Sequence, residues 1–398
     1  MILTPSVFKL EGVFDSYIES LSIKTKNINI YIDIQNLSII RYDSNVAFSY
    51  MQNDSVDFGK IYSQILTFLL NIFEFFAKKN YYVRIHIYND FGRNIFQENL
   101  LKDWKGDRIK SLMKSRIEDK TNSAFRDFGS ELFTATIKSF DYFINTTKNI
   151  YLYNMEYIDS DFFPMLNYMK EKYENIESLH LIISSDHDYI HMLNNDEKIM
   201  RFYFLNNDET KLDSKFNVFK RCSKRYNLIN LNESILVSKY YNIFQTLIGD
   251  SSDGVKSLIN KKGIKFWIKK FQNLKEDQIN KLEDKYFLID EDSDIFNFFG
   301  DVEINKNDFI KRMILFDFYY VSIWLLHHMG YKLNENDEKI LDKIKYIEPK
   351  NDLIIENNAK MFNKIYNKNE IKDDDLIKIF NKFNMNSIYN NACCFWGK

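Results

Sequence analysis

Cysteine, proline and glycine are all scarce in this chain of 398 residues, with 3, 3 and 11 copies respectively. Three cysteines without zinc-like spacing argue against a disulfide framework and indicate a reducing compartment. So few turn-forming residues favour a chain built largely of helices. The longest apolar run falls far short of the ~20 residues that span a bilayer, and no signal peptide is visible at the N-terminus. We therefore expect a cytoplasmic protein with no membrane partner.

Net charge is also nearly absent. The chain carries 54 Lys and Arg against 56 Asp and Glu, a net charge of -2 at pH 7. This balance identifies no partner by itself, so the local distribution of charge has to be examined. Hydrophobic residues make up 45% of the chain, which is typical of an ordinary globular protein. The length suits one large domain or two unequal ones.

Short apolar runs alternate with segments of helical periodicity over the first half of the chain. The pattern predicts strands at 28–32, 81–88, 149–153, 179–183 and 199–205, and helices at 62–78, 125–143, 162–169 and 240–248. This alternation predicts an α/β fold with a mostly parallel central sheet flanked by helices. Residues 274–398 are predicted to be mostly helical.

Carboxylates stand where the predicted strands end. The clearest case is the apolar run 181–183, which stops at Ser184-Ser185-Asp186-His187-Asp188. On an extended chain Asp186 and Asp188 point to one side and His187 to the other. In open parallel sheets, ligands bind beyond the carboxyl ends of the strands. Acids stand at the ends of predicted elements in five places: Asp33, Asp90, Asp159 with Asp161, Asp186 with Asp188, and, after a predicted helix, Asp250 with Asp253.

Eight carboxylates that converge on one edge need protons or cations between them. Two like charges ~4 Å apart repel by roughly 4 kcal/mol at an effective dielectric near 20. Ligand sets made only of oxygen select hard ions such as Mg²⁺ or Mn²⁺ rather than zinc. Two such ions can activate a water and hold the leaving oxygen in phosphodiester hydrolysis. Any single acid has a plainer interpretation, since Asp159 can simply cap a helix that begins near Asp161.

In their order and contexts these segments resemble the 5′-nuclease (flap endonuclease) superfamily, and within it most closely the bacteriophage RNase H type. The resemblance covers about residues 28–270. Its most specific parts are Ser-Ser-Asp-x-Asp at 184–188 and Gly-Asp-x-x-Asp at 249–253. Trp104-Lys105-Gly106-Asp107-Arg108 resembles the basic motif of the phage members. The chain departs from the family pattern at Asp159, His187 and Gln97, where the family usually has glutamate, glycine and arginine.

The resemblance implies a nuclease with two Mg²⁺ ions, for which Mn²⁺ can substitute. Asp33, Asp90, Asp159 and Asp161 would serve the first ion, with Asp186 shared or close by, and Asp188, Asp250 and Asp253 the second. It also implies a helix–three-turn–helix-like DNA-binding region at 236–275, with a K⁺ ion near 249–263. The resulting division is a lead-in at 1–27, a nuclease α/β domain at 28–235 with a basic arch at about 102–146, that DNA-binding region, and a helical C-terminal region at 276–398.

Two lysine-rich segments are candidates for phosphate binding. In the predicted arch, Lys105 and Arg108 are expected to steer and polarise the scissile phosphate. Further backbone contacts are expected from Lys102, Lys110, Lys114, Arg116, Lys256, Lys261, Lys262 and Lys265. The alternative is that each segment is a solvated amphipathic helix whose apolar side chains pack inward.

The function implied is that of a 5′→3′ exonuclease and flap endonuclease. Its substrates would be branched or nicked DNA and RNA primers in RNA–DNA hybrids, and its partners would be replication proteins such as a single-strand-binding protein or a clamp. Two alternatives stay open. A PIN-type ribonuclease would share the sheet and the early acids, but it would not need Asp250 and Asp253 before a lysine-rich helix. A catalytically inactive DNA-binding protein should have lost some of the acids.

Overall fold

The computed structural model describes residues 7–21, 23–33, 69, 71–91, 95–101, 149–156, 158–203, 211–251, 253–259, 262–300 and 302–345. These residues contain a six-stranded sheet in the order β3-β2-β1-β4-β5-β6. The strands are β1 Asn27–Asp33, β2 Tyr82–Phe91, β3 Ile150–Glu156, β4 Leu179–Ile183, β5 Ile199–Tyr203 and β6 Lys211–Ser214. Neighbouring strands are parallel except for β5 and β6, which are antiparallel. The predicted α/β fold with a mostly parallel sheet is confirmed.

Helices flank the sheet and fill the C-terminal part of the described chain. They are α1 Val7–Ser20, α2 71–78, α3 Ile95–Leu100, α4 Phe163–Tyr173, α5 Phe219–Tyr226, α6 Leu231–Lys239, α7 Tyr241–Ile248, α8 Ile264–Gln272, α9 Glu276–Lys281, α10 Lys285–Ile289, α11 Lys306–Phe316, α12 Phe318–His328 and α13 Glu335–Lys345. Short 3₁₀ helices lie at Ser160–Phe162, Asp188–Asn194 and Asp294–Asn297. In the described part of the chain, no helix has the length and apolar character needed to cross a bilayer.

Both faces of the sheet are covered, as is usual for parallel strands. Along β1, Ile28 and Ile30 point to the face where Phe14 of α1 and Phe76 of α2 pack. Tyr31 points to the opposite face and joins the larger core, which extends through α4 to the C-terminal helices. The two-residue alternation of a strand therefore sends neighbouring side chains into two different cores.

The larger core continues from the sheet into the C-terminal helices. Helix α12 packs against α4 and against the 3₁₀ turn Ser160–Phe162, and α11 packs against α7. Asp317, which caps α12, accepts hydrogen bonds from Asn242 Nδ2 at 2.6 Å and from the ammonium group of Lys285. The sheet and these helices thus share one buried interior. The domain boundaries predicted at 27, 235 and 275 stay predictions.

The main differences from the predicted elements concern strands β2, β3 and β6. Strand β3 continues three residues past its predicted end at Tyr153. Strand β2 continues three residues past its predicted end at Tyr88, so Asp90 lies within the strand rather than after it. Strand β6 was not predicted, because its four residues, Lys-Leu-Asp-Ser, contain a single apolar side chain. The predicted helices at 125–143 and in the first part of 62–78 lie outside the described residues.

A layer of polar side chains lies on the α4 side of the sheet. His86 Nε2 lies 3.0 Å from Asn29 Oδ1, and Asn29 Nδ2 donates to Glu171 Oε2 at 2.9 Å. His180 Nδ1 lies 2.8 Å from the hydroxyl of Tyr31. Burial lowers the pKa of both histidines, to about 3 for His180 and well below its usual range for His86. Both imidazoles are therefore neutral in the folded protein at neutral pH.

The buried histidines predict a loss of stability in mild acid. Burial also lowers the pKa of His191, to about 4. The unfolded chain binds protons at these histidines below about pH 6.5, whereas the folded chain does not. Their contribution is fully present above that pH and falls as pH decreases, by ~1.4 kcal/mol per unit for each histidine, until the folded pKa is reached. Urea unfolding at pH 7 and pH 5.5 should show this decrease in the free energy of unfolding.

The variants that test this prediction are His180→Gln and His327→Gln. Replacing the buried His180 should reduce the pH dependence of the free energy of unfolding by the contribution of about one histidine. Replacing the exposed His327 should leave that dependence unchanged. Glu171, whose pKa is raised by burial, acts in the opposite direction at lower pH, so the comparison stops at pH 5.5. Equal slopes in wild type and His180→Gln would contradict the prediction.

Candidate metal centre

The carboxyl ends of the parallel strands lie along one edge of the sheet. The first two predicted acids, Asp33 and Asp90, lie at or near this edge. Asp33, the last residue of β1, is half-buried and lies in register with Tyr88 of β2. Asp90 is in register with Met155 of β3, and its side chain lies outside the described residues. Beyond β3 and β4, the chain turns into the segments that carry Asp159 to Asp161 and Asp186 to Asp188.

Three of these acids form a compact group, which we call the acidic triad. Asp161, Asp186 and Asp188 each offer a carboxylate oxygen, and these oxygens all lie within 4.8 Å of one another. In the described part of the chain, neither Asp33, Asp159, Asp250 nor Asp253 belongs to such a group. The structure thus places Asp188 with Asp161 and Asp186, whereas the sequence resemblance implies that it serves a separate ion.

The loop after β4 brings two members of the triad together through its own hydrogen bonds. The N–H of Asp186 donates to Ser184 Oγ at 3.1 Å, and the N–H of Asp188 donates to Asp186 Oδ1 at 2.9 Å. The expectation of an extended chain here is wrong: His187 has helical backbone angles, φ −80° and ψ −15°, and Asp188 begins a 3₁₀ helix. The carboxylates converge because of this turn, not because of strand alternation.

A fully buried arginine holds the same loop from β5. Arg201 donates through one terminal nitrogen to the carbonyl oxygen of Asp186. Its other terminal nitrogen donates to Asp213 Oδ2 at 2.7 Å, and Arg221 Nε donates to the same oxygen at 2.8 Å. Arg201 and Asp213 face each other in the antiparallel register of β5 and β6. Pairing within this buried network compensates the charge that Arg201 brings into the core.

Two tyrosines fix the carboxylate of Asp161. The hydroxyl of Tyr189 donates to Asp161 Oδ1 at 2.6 Å. The hydroxyl of Tyr88 lies 2.6 Å from that of Tyr189 and donates to it, because the Tyr189 proton is already used. Burial, together with the negative charges of Asp33 and Asp161, holds the pKa of both phenols well above its usual value. Both phenols therefore stay protonated and act as donors.

The triad is electrostatically unfavourable without a cation. Burial raises the pKa of Asp188 well above its usual range, and the charges of Asp186, Asp253 and Asp250 raise it further. Its Oδ1 accepts a hydrogen bond from the neutral amide of Gln245 at 3.1 Å. An all-carboxylate ligand set fits a hard divalent ion such as Mg²⁺ or Mn²⁺.

Asp159 lies next to the triad but has a structural role. Its buried carboxylate accepts the N–H of Asp161 at 3.3 Å and so caps the 3₁₀ turn Ser160–Phe162. Its own N–H donates to Gln97 Oε1 at 3.3 Å. A small cleft brings both residues together with two members of the triad, Asp161 and Asp188; its lining residues are Gln97, Asp159, Asp161, Asp188, Gln245, Leu315, Phe316 and Phe318. The capping interpretation of Asp159 is therefore supported, and Asp159 still faces the cleft.

The second acid pair lies on a tight loop after α7. Asp250 and Asp253 are both buried, and the N–H of Val255 donates to the carbonyl of Asp250 at 2.8 Å. Gln245 Nε2 lies between the two acid groups, at 3.1 Å from Asp188 Oδ1 and 3.2 Å from Asp250 Oδ2. The pair thus lies beside the triad and is linked to it through one amide.

The same loop gathers backbone carbonyl groups around Ser257. Its hydroxyl oxygen lies 3.2 Å from the carbonyl oxygen of Leu247, 2.8 Å from that of Ile259 and 3.1 Å from that of Lys262. One hydroxyl proton can serve only one of these acceptors. The carbonyls of Leu247 and Ile259 also accept backbone N–H groups, from Leu258 at 2.9 Å and from Lys262 at 3.2 Å. Three carbonyl oxygens therefore converge on this one hydroxyl.

The lysine-rich segment that follows Asp250 and Asp253 has an exposed side and a buried side. Lys256, Lys262 and Lys265 are exposed, whereas Trp267 and Phe271 of α8 are buried. Both the basic surface and the inward-packed amphipathic helix are thus present. The remaining predicted cationic residues lie outside the described residues: Lys102, Lys105, Arg108, Lys110, Lys114, Arg116 and Lys261.

Sequence reasoning missed the residues that hold the acids in place, namely Tyr88, Tyr189, Arg201, Arg225 and Gln245. One signal was visible: Arg201 is a lone charge in an apolar run predicted to be a buried strand. The others carry no local signal, because tyrosine and glutamine occur throughout the chain.

The fold and the triad together define an α/β protein with a candidate divalent-metal centre. No protein-family model matches the chain, and no curated protein matches it. Solved structures do match. The T5 D15 protein co-crystallised with metal ions has a TM-score of 0.47 and 14% identity, covering 81% of this chain and 100% of its own.

T5 5′-exonuclease with bound zinc gives a TM-score of 0.46 at 14% identity, again over 81% of this chain and 100% of its own. A lysine-to-alanine mutant of T5 5′-exonuclease gives 0.41 at 13% identity, over 81% of this chain and 99% of its own. At these values the likeness does not establish a family, so the function has to be inferred from the side chains of this protein.

Proposed function

We propose that this protein is a divalent-metal-dependent 5′-nuclease that hydrolyses phosphodiester bonds in branched or nicked DNA. The observation that carries the proposal is the acidic triad, in which three carboxylate oxygens lie within 4.8 Å at the carboxyl edge of a parallel sheet. Like charges this close repel by several kcal/mol unless a cation lies between them. The order of the acids along the sequence, which resembles the 5′-nuclease superfamily, supports the same function.

The metal-binding roles are assigned to the acids at this edge. Asp161, Asp186 and Asp188 would hold the first ion, with Asp33 at the end of β1 and Asp90 in the last part of β2 as further candidates. Bound Mg²⁺, or Mn²⁺ in its place, would supply activation of a water molecule and neutralisation of the leaving oxygen. Asp159 would act from the wall of the cleft, and Asp250 and Asp253 would serve a second ion.

The other residues around the cleft orient the ligands and restrict water. The hydroxyl of Tyr189 fixes the rotation of the Asp161 carboxylate, and Arg201 fixes the main chain at Asp186. Phe316 and Phe318 form an apolar wall of the cleft. Ligands held in this way need little reorganisation during the reaction, which is the main electrostatic advantage of an enzyme site.

Nucleic-acid binding is assigned to the lysine-rich segments. Exposed Lys256, Lys262 and Lys265 would neutralise phosphates of duplex DNA next to the Asp250 loop, together with Lys261. Lys105 and Arg108 are proposed to act on the scissile phosphate from the arch. A K⁺ ion at the carbonyl cluster around Ser257 is proposed to tie this loop to the DNA backbone, since carbonyl oxygens are suitable ligands for such an ion.

The finer specificity is also a proposal. We infer 5′ flaps, nicks and RNA primers in RNA–DNA hybrids as substrates, replication or repair as the context, and a single-strand-binding protein or clamp as the partner. A cytoplasmic location follows from that role. These inferences rest on the sequence resemblance to the phage type.

The proposal is tested by cleavage of labelled DNA with and without metal. A 5′-labelled flap duplex, an intact duplex and a single-stranded RNA are incubated with Mg²⁺, and in parallel with Mg²⁺ plus excess EDTA. We expect cleavage of the flap with Mg²⁺ and none with EDTA. Cleavage of single-stranded RNA alone would favour the PIN-type ribonuclease. Binding of the flap without cleavage in any metal would indicate an inactive DNA-binding protein.

A further inference from the structure

Arg225 forms an ion pair with Asp250, one of the two acids of the second acid pair. Its guanidinium donates to Asp250 Oδ2 at 2.5 Å, with the Arg225 side chain only 17% exposed. The same carboxylate oxygen receives the amide of Gln245 at 3.2 Å. Two protein donors therefore already engage Oδ2, one of the two carboxylate oxygens of Asp250.

The position of the guanidinium is set by its surroundings. It lies over the rings of Tyr226 and Tyr241, 5.7 and 5.8 Å from their centroids. Arg225 sits in the last turn of α5, which ends at Asn227 in a left-handed conformation. Ring contacts of this kind stabilise a partly buried cation. These ring contacts and the ion pair with Asp250 hold the Arg225 guanidinium in place.

The charge of Arg225 also reaches Asp188. Among the neighbouring groups that act on Asp188, Arg225 opposes the three carboxylates that raise its pKa. Asp188 belongs to the acidic triad, so it is shared between the triad and the Asp250 side of the site. In the described part of the chain, the triad is the group whose carboxylate oxygens lie within 4.8 Å of one another, and Asp250 and Asp253 stand outside it.

We propose that Arg225 is the resident cation of the group formed by Asp188, Asp250 and Asp253. The protein then binds one divalent ion tightly at the acidic triad, and a second ion only weakly, because the guanidinium already neutralises Asp250 and engages its Oδ2. This inference rests on the proposed function, since it assumes that the triad binds a divalent ion. Arg225 thus makes the two ion sites differ in their affinity for a divalent ion.

The test is a count of bound Mn²⁺, which does not depend on nuclease activity. Mn²⁺ is titrated into the metal-free protein, and the free ion is followed by its electron paramagnetic resonance signal. Wild type should bind one ion tightly and a second more weakly. Arg225→Gln should tighten the second site at least about tenfold, because it removes a unit charge close to Asp250. Arg225→Lys, which keeps the charge, should resemble wild type more than Arg225→Gln does.

The matched control is Lys224→Gln, which removes the same charge from the neighbouring, exposed position of α5. It should leave both affinities unchanged. A second readout is the melting temperature: saturating Mn²⁺ should raise it more in Arg225→Gln than in wild type. If Arg225→Gln does not fold, the wild-type isotherm still decides, because two ions bound with equal affinity would overturn the inference while leaving the proposed function standing. Absence of Mn²⁺ binding would overturn both.

Discussion

Replacing Asp186 with asparagine should lower the rate of flap cleavage by at least about 100-fold. The carboxylate of Asp186 lies within 4.8 Å of those of Asp161 and Asp188, and the change removes one of the three negative charges that would hold the ion. The amide is nearly isosteric and keeps Oδ1, the acceptor of the Asp188 N–H. The loop is therefore expected to keep its shape while the metal affinity falls. Single-turnover cleavage at several Mg²⁺ concentrations measures the effect.

The control for this prediction is Asp277→Asn. Asp277 is an exposed acid in the first turn of α9, and its replacement changes the net charge by the same amount. Its cleavage rate should equal that of wild type. The Asp186 variant should also melt at or above the wild-type temperature without metal, since it relieves repulsion inside the triad. If the variant cleaves at the wild-type rate at limiting Mg²⁺, Asp186 is not a ligand of the metal ion.

The positions of most strands were accessible from the sequence because of simple periodicities. Short apolar runs predicted β1, β2, β3, β4 and β5 to within a few residues. The same runs placed the acids of the site at one edge of the sheet, because parallel strands end together. The fold class followed from the alternation of strands with helices.

The arrangement within the site was not accessible in the same way. The pairing of Asp188 with Asp161 depends on a 3₁₀ turn at residues 188–194, and the sequence instead suggested an extended chain. The roles of Arg201 and Arg225 depend on contacts with Asp213 and Asp250, which are 12 and 25 residues away along the chain. Such pairs leave no periodic pattern, because they are set by tertiary packing.

The buried cations explain how the acids can be held so close together. Arg201 neutralises Asp213 while its remaining donor holds the main chain at Asp186. Arg225 neutralises Asp250, in the second acid pair. Each arginine is anchored in a different element, β5 and α5. Stability lost to repulsion among the acids is in this way partly offset by charge pairs next to them, and the ligand positions are fixed before any ion binds.

Replacing Gly249 with alanine should lower the free energy of unfolding by more than about 3 kcal/mol. Gly249 ends α7 with φ +76° and ψ −176°, a backbone conformation that is nearly restricted to glycine. A Cβ there would lie 2.3 Å from the carbonyl oxygen of Val255 and 2.5 Å from that of Lys256. Both contacts are with backbone, so no side-chain rotation relieves them. Urea unfolding measures the loss.

Two other glycines separate the causes of this effect. Gly263→Ala should be nearly neutral, because the added Cβ meets nothing within 4 Å and the backbone angle is ordinary. Gly330 has φ +89° but open space around an added Cβ, so Gly330→Ala should cost only about 1 kcal/mol from backbone strain. The excess cost at Gly249 is then the steric clash, which forces Val255 away from Asp250 across their bridge. Because Asp250 moves with that loop, the folded fraction of Gly249→Ala should also show altered binding of the second Mn²⁺ ion. A Gly249 variant as stable as Gly330→Ala would mean that the loop yields without cost and that the position of Asp250 is not fixed by this turn.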